Sequence, residues 1–469
     1  ENTYGNSVLN FRWNHLFSDK LFSNLSLIYS DYYYDLKLNF VEFDWVSGIQ
    51  NFNLKYDFKH YLTDKIKLQY GLNSIYYNFN PGEINPTVES SGINPFKLID
   101  KYAIENAIYL DAEHKVSDKL ALSYGLRLSS FHRLGQDELN IYENNQAVTF
   151  NQDFQIYEKA VPIGTESFKR SDVIESFYNL EPRASLAYQL NSDSSVKLSY
   201  NRMSQYLHLL SNTNSPTPLD IWTPSGKYVK PQLLDQYAVG YFKDFNNNKY
   251  SLEVESFYKT VKNRIDYIDG ADLIANNAIE QVILNGKSRA YGLEVLLKKN
   301  EGRFKGWFAY TLSKSEQKTP GRTALETGIN NSEWYRTPFD KTHDISFTGS
   351  YDWNEKWKIN TNFLFQTGQP ATFPNGQYEY NGLNIPNYGS RNADRLSAYH
   401  RLDISLNYTP KPNKTKGWRS HWVFGIYNLY NRRNAASISF GQNEMTGSNE
   451  ATRLAIFGVV PSISYNFKL

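Results

Sequence analysis

The chain contains no cysteine in 469 residues, which excludes disulfide stapling, thiolate metal sites and cysteine nucleophiles together. It also lacks any uninterrupted apolar run near the ~18 residues of a spanning helix, so a helical membrane protein is excluded. Formal net charge is only +2, too small for a global field that recruits nucleic acid. No GxSxG elbow, HExxH pair or phosphate-cradling glycine loop is present. The eight histidines are scattered, with no pair at metal-ligand spacing. The expectation is therefore no catalytic residue, no metal site, no cofactor and no enzyme activity. The chain opens at Glu1 with no charged-then-apolar leader, which reads as a processed or truncated product.

Aromatic residues, by contrast, are plentiful. They make up 16% of the chain, with 37 Tyr, 28 Phe and 9 Trp. Tyr and Trp favour a boundary between lipid and water, where one end of the ring is apolar and the other wet. Their placement follows a period of two. At the end of the chain Ile463, Tyr465, Phe467 and Leu469 share one strand face, and Ser462, Ser464, Asn466 and Lys468 the other. In 119–131, Leu120, Leu122, Tyr124, Leu126 and Leu128 oppose Ala121, Ser123, Gly125, Arg127 and Ser129. Arg401–Tyr408 and Trp357–Phe365 alternate likewise. Helical spacing would mix these sets, so the pattern predicts strands that are apolar outside and polar inside.

Tight polar turns fall at 18–20, 63–65, 117–119, 246–248 and 354–356, with long irregular segments near 81–95, 135–172, 211–231, 318–338 and 374–394. Short turns at one end and long loops at the other are the asymmetry of an outer-membrane barrel. About seventeen strands are expected between Ser7 and Leu469, many longer than the ~9–11 residues a span needs. The fold class is therefore all-β, a transmembrane antiparallel β-barrel occupying 1–469 as one domain.

Several phrases occur in a telling order: Lys230-Pro231-Gln232 before Gln236-Tyr237-Ala238-Val239-Gly240-Tyr241; Asn285-Gly286-Lys287-Ser288-Arg289-Ala290-Tyr291-Gly292-Leu293-Glu294; Pro338-Phe339-Asp340-Lys341-Thr342-His343-Asp344; Thr367-Gly368-Gln369-Pro370; Tyr399-His400-Arg401-Leu402-Asp403; and Asn428-Leu429-Tyr430-Asn431. In these the chain resembles the barrel of a TonB-dependent outer-membrane receptor of the style found in Bacteroidetes, well from Ile174 onward and before that only by architecture. The resemblance implies a barrel of about twenty-two strands around an N-terminal plug. It further implies import of a siderophore, vitamin, glycan or peptide in the outer membrane of a Gram-negative cell. The implied partners are outer-membrane lipid and lipopolysaccharide, the plug-bearing N-terminal part of the receptor, the TonB complex through that part, and a surface lipoprotein lid. The sequence departs from the family in having neither plug nor TonB box, in lacking about five strands, and in ending on Leu469 where the family usually ends in Phe. A passive porin-like channel, or a secretion or structural barrel without energy coupling, is the alternative.

Alternation places Arg127, Arg183, Glu253, Glu255, Glu294, Arg401 and Asp403 on the polar, lumenal face. Paired wall charges are the plain reading, and contacts to a plug or conduit the functional one. Loop aromatics Tyr206, Trp222, Tyr228, Trp334 and Tyr335 suit stacking on a sugar, a siderophore ring or a peptide side chain, although loop packing serves them equally. Tyr32, Tyr33, Tyr34, Tyr76 and Tyr77 are expected in the outer girdle. Asp266, Asp269 and Asp272 around Gly270 have the oxygen ligands of a Ca²⁺ loop without its usual spacing, and an acidic solvated loop is the simpler reading. Ser129, Ser130 and His132 lie close in sequence, but alternation puts Ser129 and His132 on opposite faces.

Overall fold

The computed structural model describes residues 1–38, 42–88, 92–211, 220–412, 417–443, 445 and 448–468. Its main body is one antiparallel sheet of 19 strands. Two of these are two-residue fragments, Phe96–Lys97 and Tyr335–Arg336. The other seventeen are the long strands the alternation predicts: β1 (Asn2–Ser18), β2 (Leu21–Leu38), β3 (Phe43–Thr63), β4 (Ile66–Pro86), β5 (Lys101–Lys115), β6 (Leu120–Leu134), β7 (Val173–Asn191), β8 (Ser194–Gln205), β9 (Gln232–Phe245), β10 (Tyr250–Tyr267), β11 (Ile283–Lys299), β12 (Phe304–Lys318), β13 (His343–Asp352), β14 (Trp357–Gln366), β15 (Tyr399–Tyr408), β16 (Arg419–Tyr427) and β17 (Val460–Lys468). Each pairs with its sequence neighbours in an up-and-down meander. Leu469 lies outside the described residues. Among the described residues no helix is long and apolar enough to cross a membrane.

β3 and β4 each run 21 residues, roughly twice a spanning strand, so they project well beyond the bilayer. One consequence is that residues 81–86, expected in a loop, extend β4. The connections after odd-numbered strands are mostly tight, and Asn246, Asn247 and Asn248 supply consecutive positive-φ positions in one of them. Asn tolerates that region better than other side-chain-bearing residues. Connections after even-numbered strands are long from β4 onward. They include 428–459, which the sequence reading did not single out as a loop, and 268–282, of which it marked only the aspartate-bearing start.

The apolar core sits in these long connections and not in the wall. Trp45, Leu98, Val148, Tyr157, Leu210, Ile221, Ile268, Leu273, Ile279, Val282 and Ile329 form one buried cluster drawn from five connections and the strand ends beside them. Trp45 closes over Gly82, where a Cβ would lie 2.1 Å from the indole Cζ2, so only glycine admits the ring. A second cluster joins Tyr77, Phe79, Ala103 and Phe131 on the wall to Tyr206 of the β8–β9 connection. That contact identifies the interior, because the face of β4–β6 carrying these residues is the one onto which a loop folds. On the opposite face Leu126, Leu128, Leu293, Leu297, Phe424, Ile463 and Phe467 stand exposed, as a lipid-facing surface requires.

The tyrosine runs divide between the faces. Tyr33 and Tyr76 point outward, while Tyr77 is buried inside against Phe79 and Tyr34 stacks on Tyr4 of β1 with centroids 6.4 Å apart. Successive residues cannot share one face of a strand, so the expected girdle holds only alternate members.

Candidate functional site: a lumen of paired charges under an infolded loop cap

Interior charges of β5–β7 form a ladder. Arg127 reaches Glu105 at 3.6 Å and Glu181 at 3.8 Å. Arg183 forms a bidentate pair with Asp111 across the intervening strand. Gly125 lies between them in register with both. A Cβ there would come 1.8 Å from Asp111 Oδ1, so the bridge depends on that glycine. Glu253 binds Lys298 at 2.5 Å and Arg401 binds Asp403 at 3.0 Å. Glu255 and Glu294 stand directly opposite each other on β10 and β11, with no salt bridge among the described residues, an arrangement that costs stability.

Above this lumen the loops are tied by a buried polar knot. Asp266, at the end of β10, accepts hydrogen bonds from Thr319 Oγ1 at 2.8 Å and from the Tyr335 hydroxyl. Arg391 donates to Asp266 Oδ1 at 2.7 Å and to the Tyr267 carbonyl at 2.9 Å, and also pairs with Asp269. Burial works against the Arg391 charge, but the two carboxylates outweigh it and raise its pKa. Burial and the adjacent Asp266 carboxylate push the Tyr335 hydroxyl up. Two of the three carboxylates of the Ca²⁺-like pattern therefore hold a guanidinium. A neighbouring pair, Arg395 with Asp340, anchors the same connection to the β12–β13 loop.

A second knot surrounds His208, which is 2% exposed. Arg264 Nη1 donates to Gln232 Oε1 at 3.4 Å, which turns the Gln232 amide nitrogen toward His208 Nδ1 at 3.2 Å; His208 Nε2 lies 3.0 Å from Ser225 Oγ. This chain holds the imidazole as the neutral Nε2–H tautomer. Burial, aided by the Arg264 charge, depresses its pKa to about 4.

The loop aromatics have distinct surroundings. Tyr206 is 3% exposed, stacks on Phe131 at 4.8 Å, and hydrogen-bonds Ser129 Oγ and Asn179 Nδ2, each at 2.8 Å. Tyr335 is 6% exposed within the Asp266 knot. These two brace the cap and present no free ring face. Tyr228 packs edge-on to Tyr142 and donates to the Asn140 carbonyl at 2.8 Å. Trp222 leans on the second cluster. Trp334 carries the Arg289 guanidinium 4.2 Å above its ring. Ser129 bonds Glu181 and Tyr206, while His132 bonds Ser176 on the other face, so Ser129 and His132 do not meet.

Between the 135–172, 268–282, 319–342, 367–398 and 428–459 connections lies a cavity of about 1040 Å³, walled by Tyr157, Tyr267, Phe373, Tyr388, Phe440 and Arg391. None of its aromatic residues was singled out from the sequence. Their common signal is only spatial: rings brought from separate loops to one concavity.

The sequence matches the family described as "TonB dependent receptor-like, beta-barrel" over residues 1–429. The chain belongs to that family. These receptor barrels reside in the outer membrane and serve transport, not enzymatic catalysis. A search of curated protein sequences returned no match. Among solved structures, the ferric-catecholate import receptor Fiu from K12 E. coli has TM-score 0.61 at 15% identity, covering 100% of this chain and 64% of that one. The ferric yersiniabactin uptake receptor FyuA from Yersinia pestis has TM-score 0.60 at 13% identity, covering 99% and 61%. The ferripyoverdine receptor of Pseudomonas aeruginosa, bound to ferripyoverdine, has TM-score 0.59 at 13% identity, covering 98% and 56%. The TonB-dependent receptor barrel described here thus spans about three-fifths of the length of these structures. At such identities they share its fold.

Proposed function

We propose that this chain is the barrel wall of an energy-coupled importer, in which a nutrient binds beneath the loop cap and passes through the lumen once a plug is displaced. The family match over residues 1–429 carries the proposal. The sheet edges support it: among the described residues β1 pairs only with β2, and β17 only with β16. Open edges cannot face lipid, so the reading calls for further wall strands beside them, supplied with the plug by the rest of the receptor. The interior supports it too, because a wide barrel lined by paired charges encloses water or a plug domain and not a side-chain core. The plug-bearing part contacts the TonB complex, and a surface lipoprotein is a candidate lid.

The cargo we favour is a small chelate of the siderophore class ahead of a vitamin, glycan or peptide. A cavity of about 1040 Å³ walled by five aromatic rings and the Arg264 and Arg391 guanidinium groups, the latter already paired with Asp266 and Asp269, matches a compact ligand carrying aromatic groups. Uptake of radiolabelled iron by cells carrying the whole protein, fed a ferric catecholate, tests the reading. Uptake abolished by a protonophore supports it, and uptake indifferent to the protonophore favours the passive conduit.

A further inference from the structure

The outward face of β8–β12 contains a pattern that the lumen does not explain, and of the cap only Trp334, over Arg289 and Lys287, and the Ala393 carbonyl, at Arg336, reach it. In register across the sheet, Tyr200, Tyr237, Tyr258 and Tyr291 form a continuous outward row. Below it, away from the loops, lie Leu198, Val239 and Leu293, all exposed. This is the sequence of apolar band then aromatic belt expected at a lipid–water boundary.

Immediately on the loop side the face becomes basic. The next row reads Arg202, Asp235, Thr260, Arg289, Glu316 and Arg336, and the row above it contains Lys262, Lys287 and Lys318. Lys314 extends the tyrosine row beside Tyr291. Seven cations thus stand against two carboxylates. Asp235 is committed to Arg202 at 2.8 Å, and Glu316 to Arg289 at 2.8 Å and Lys314 at 2.6 Å. Lys262, Lys287, Lys318 and Arg336 form no salt bridge among the described residues. The corresponding loop-side row on β2–β5 is Asp31, Gln50, Asn78 and Tyr102, and the one cation seen over it is Arg170, 4.2 Å from the Tyr102 ring.

A shallow outward groove of about 1110 Å³ joins the two zones, with Tyr237, Tyr258, Tyr291 and Leu293 at its apolar end and Arg289 and Arg336 at the other. An amphiphile lying there places acyl chains on the apolar band and anionic headgroup oxygens among the cations. Arginine forks and lysine ammonium groups both suit phosphate. The loop-side end faces the outer leaflet, whose anionic amphiphile is a phosphorylated glycolipid. Resting on the outer-membrane receptor reading, we infer that this sector is a binding site for the phosphorylated headgroup of lipid A, held by Lys262, Lys287, Lys318 and Arg336 around the Arg289–Glu316 pair.

The test uses the whole protein purified from outer membranes and placed in phosphatidylcholine bilayers containing lipid A or its dephosphorylated form, with retained lipid counted by native mass spectrometry. The site variant is Lys262→Gln/Lys287→Gln/Lys318→Gln. The control is Lys243→Gln/Lys299→Gln, on outward positions at the opposite end of β9 and β11. At roughly fivefold per surface cation, the triple change weakens lipid A retention by about a hundredfold, and the control does not. Equal retention by wild type and triple variant overturns the site. Equal retention of dephosphorylated lipid A shows that acyl contacts alone suffice and also overturns it. Competition by millimolar inorganic phosphate reassigns the cations to a free anion. Failure of the outer-membrane reading would look different: wild type and both variants would all be missing from outer-membrane fractions.

Discussion

Acidification should loosen the loop cap through one residue. His208 titrates near 6.5 in an open chain and near 4 in the closed cap. Its folded pKa is depressed, so the stabilisation is complete above pH 6.5 and is lost as pH falls toward 4. The difference corresponds to about 3 kcal/mol at most. Its physical origin is visible in the contacts. Protonating Nδ1 would point a new N–H at the Gln232 amide nitrogen, which Arg264 holds in place, while a second cation would sit beside the Arg264 guanidinium. Hydrogen exchange of Leu207–Leu210 and Ile221–Pro224, the short hairpin that carries His208, reads the effect. Exchange should accelerate steeply from pH 6.5 to 4 once the intrinsic pH dependence is removed, and His208→Asn should flatten that profile. A profile identical in wild type and His208→Asn would refute the reasoning.

Two further outcomes are expected. Arg391→Met removes the only cation bonded to Asp266 among the described residues and leaves a buried carboxylate facing two hydroxyls. This should cost about 3–5 kcal/mol of local stability and expose the 367–398 connection to limited proteolysis, with Asp266→Asn/Arg391→Met recovering most of the protection. In planar bilayers the proposed plug would keep the whole protein silent, and steady conductance would favour an open channel.

The wall was legible in the sequence because a strand buried on one face repeats every two residues. About seventeen strands are expected from this period and seventeen long strands form, with the tight turns at 18–20, 63–65 and 246–248 between them. The cap was not legible. Its contacts join residues such as Asp266 and Arg391, 125 positions apart, and no local period records such a pairing. The aspartate cluster stood out as carboxylates, but a lone arginine in a polar loop gives no sign of being their partner. Tyr206 and Tyr335 were prominent as loop aromatics, yet ring type alone does not separate a ring that stacks on cargo from one that stacks on Phe131. The basic collar escaped for another reason. Outward positions were expected to be apolar, which holds only for the part of each strand inside the bilayer, and β10 and β11 run beyond it.

The central claim is that this wall belongs to a conduit opened by force from the inner membrane, and iron uptake in intact cells tests it most directly. Cells whose copy of the protein is deleted and then restored are supplied with a radiolabelled ferric catecholate, with the proton gradient intact or collapsed. The account expects uptake that requires both the protein and the gradient. Uptake that requires the protein but survives collapse of the gradient would contradict it and leave a passive channel in its place.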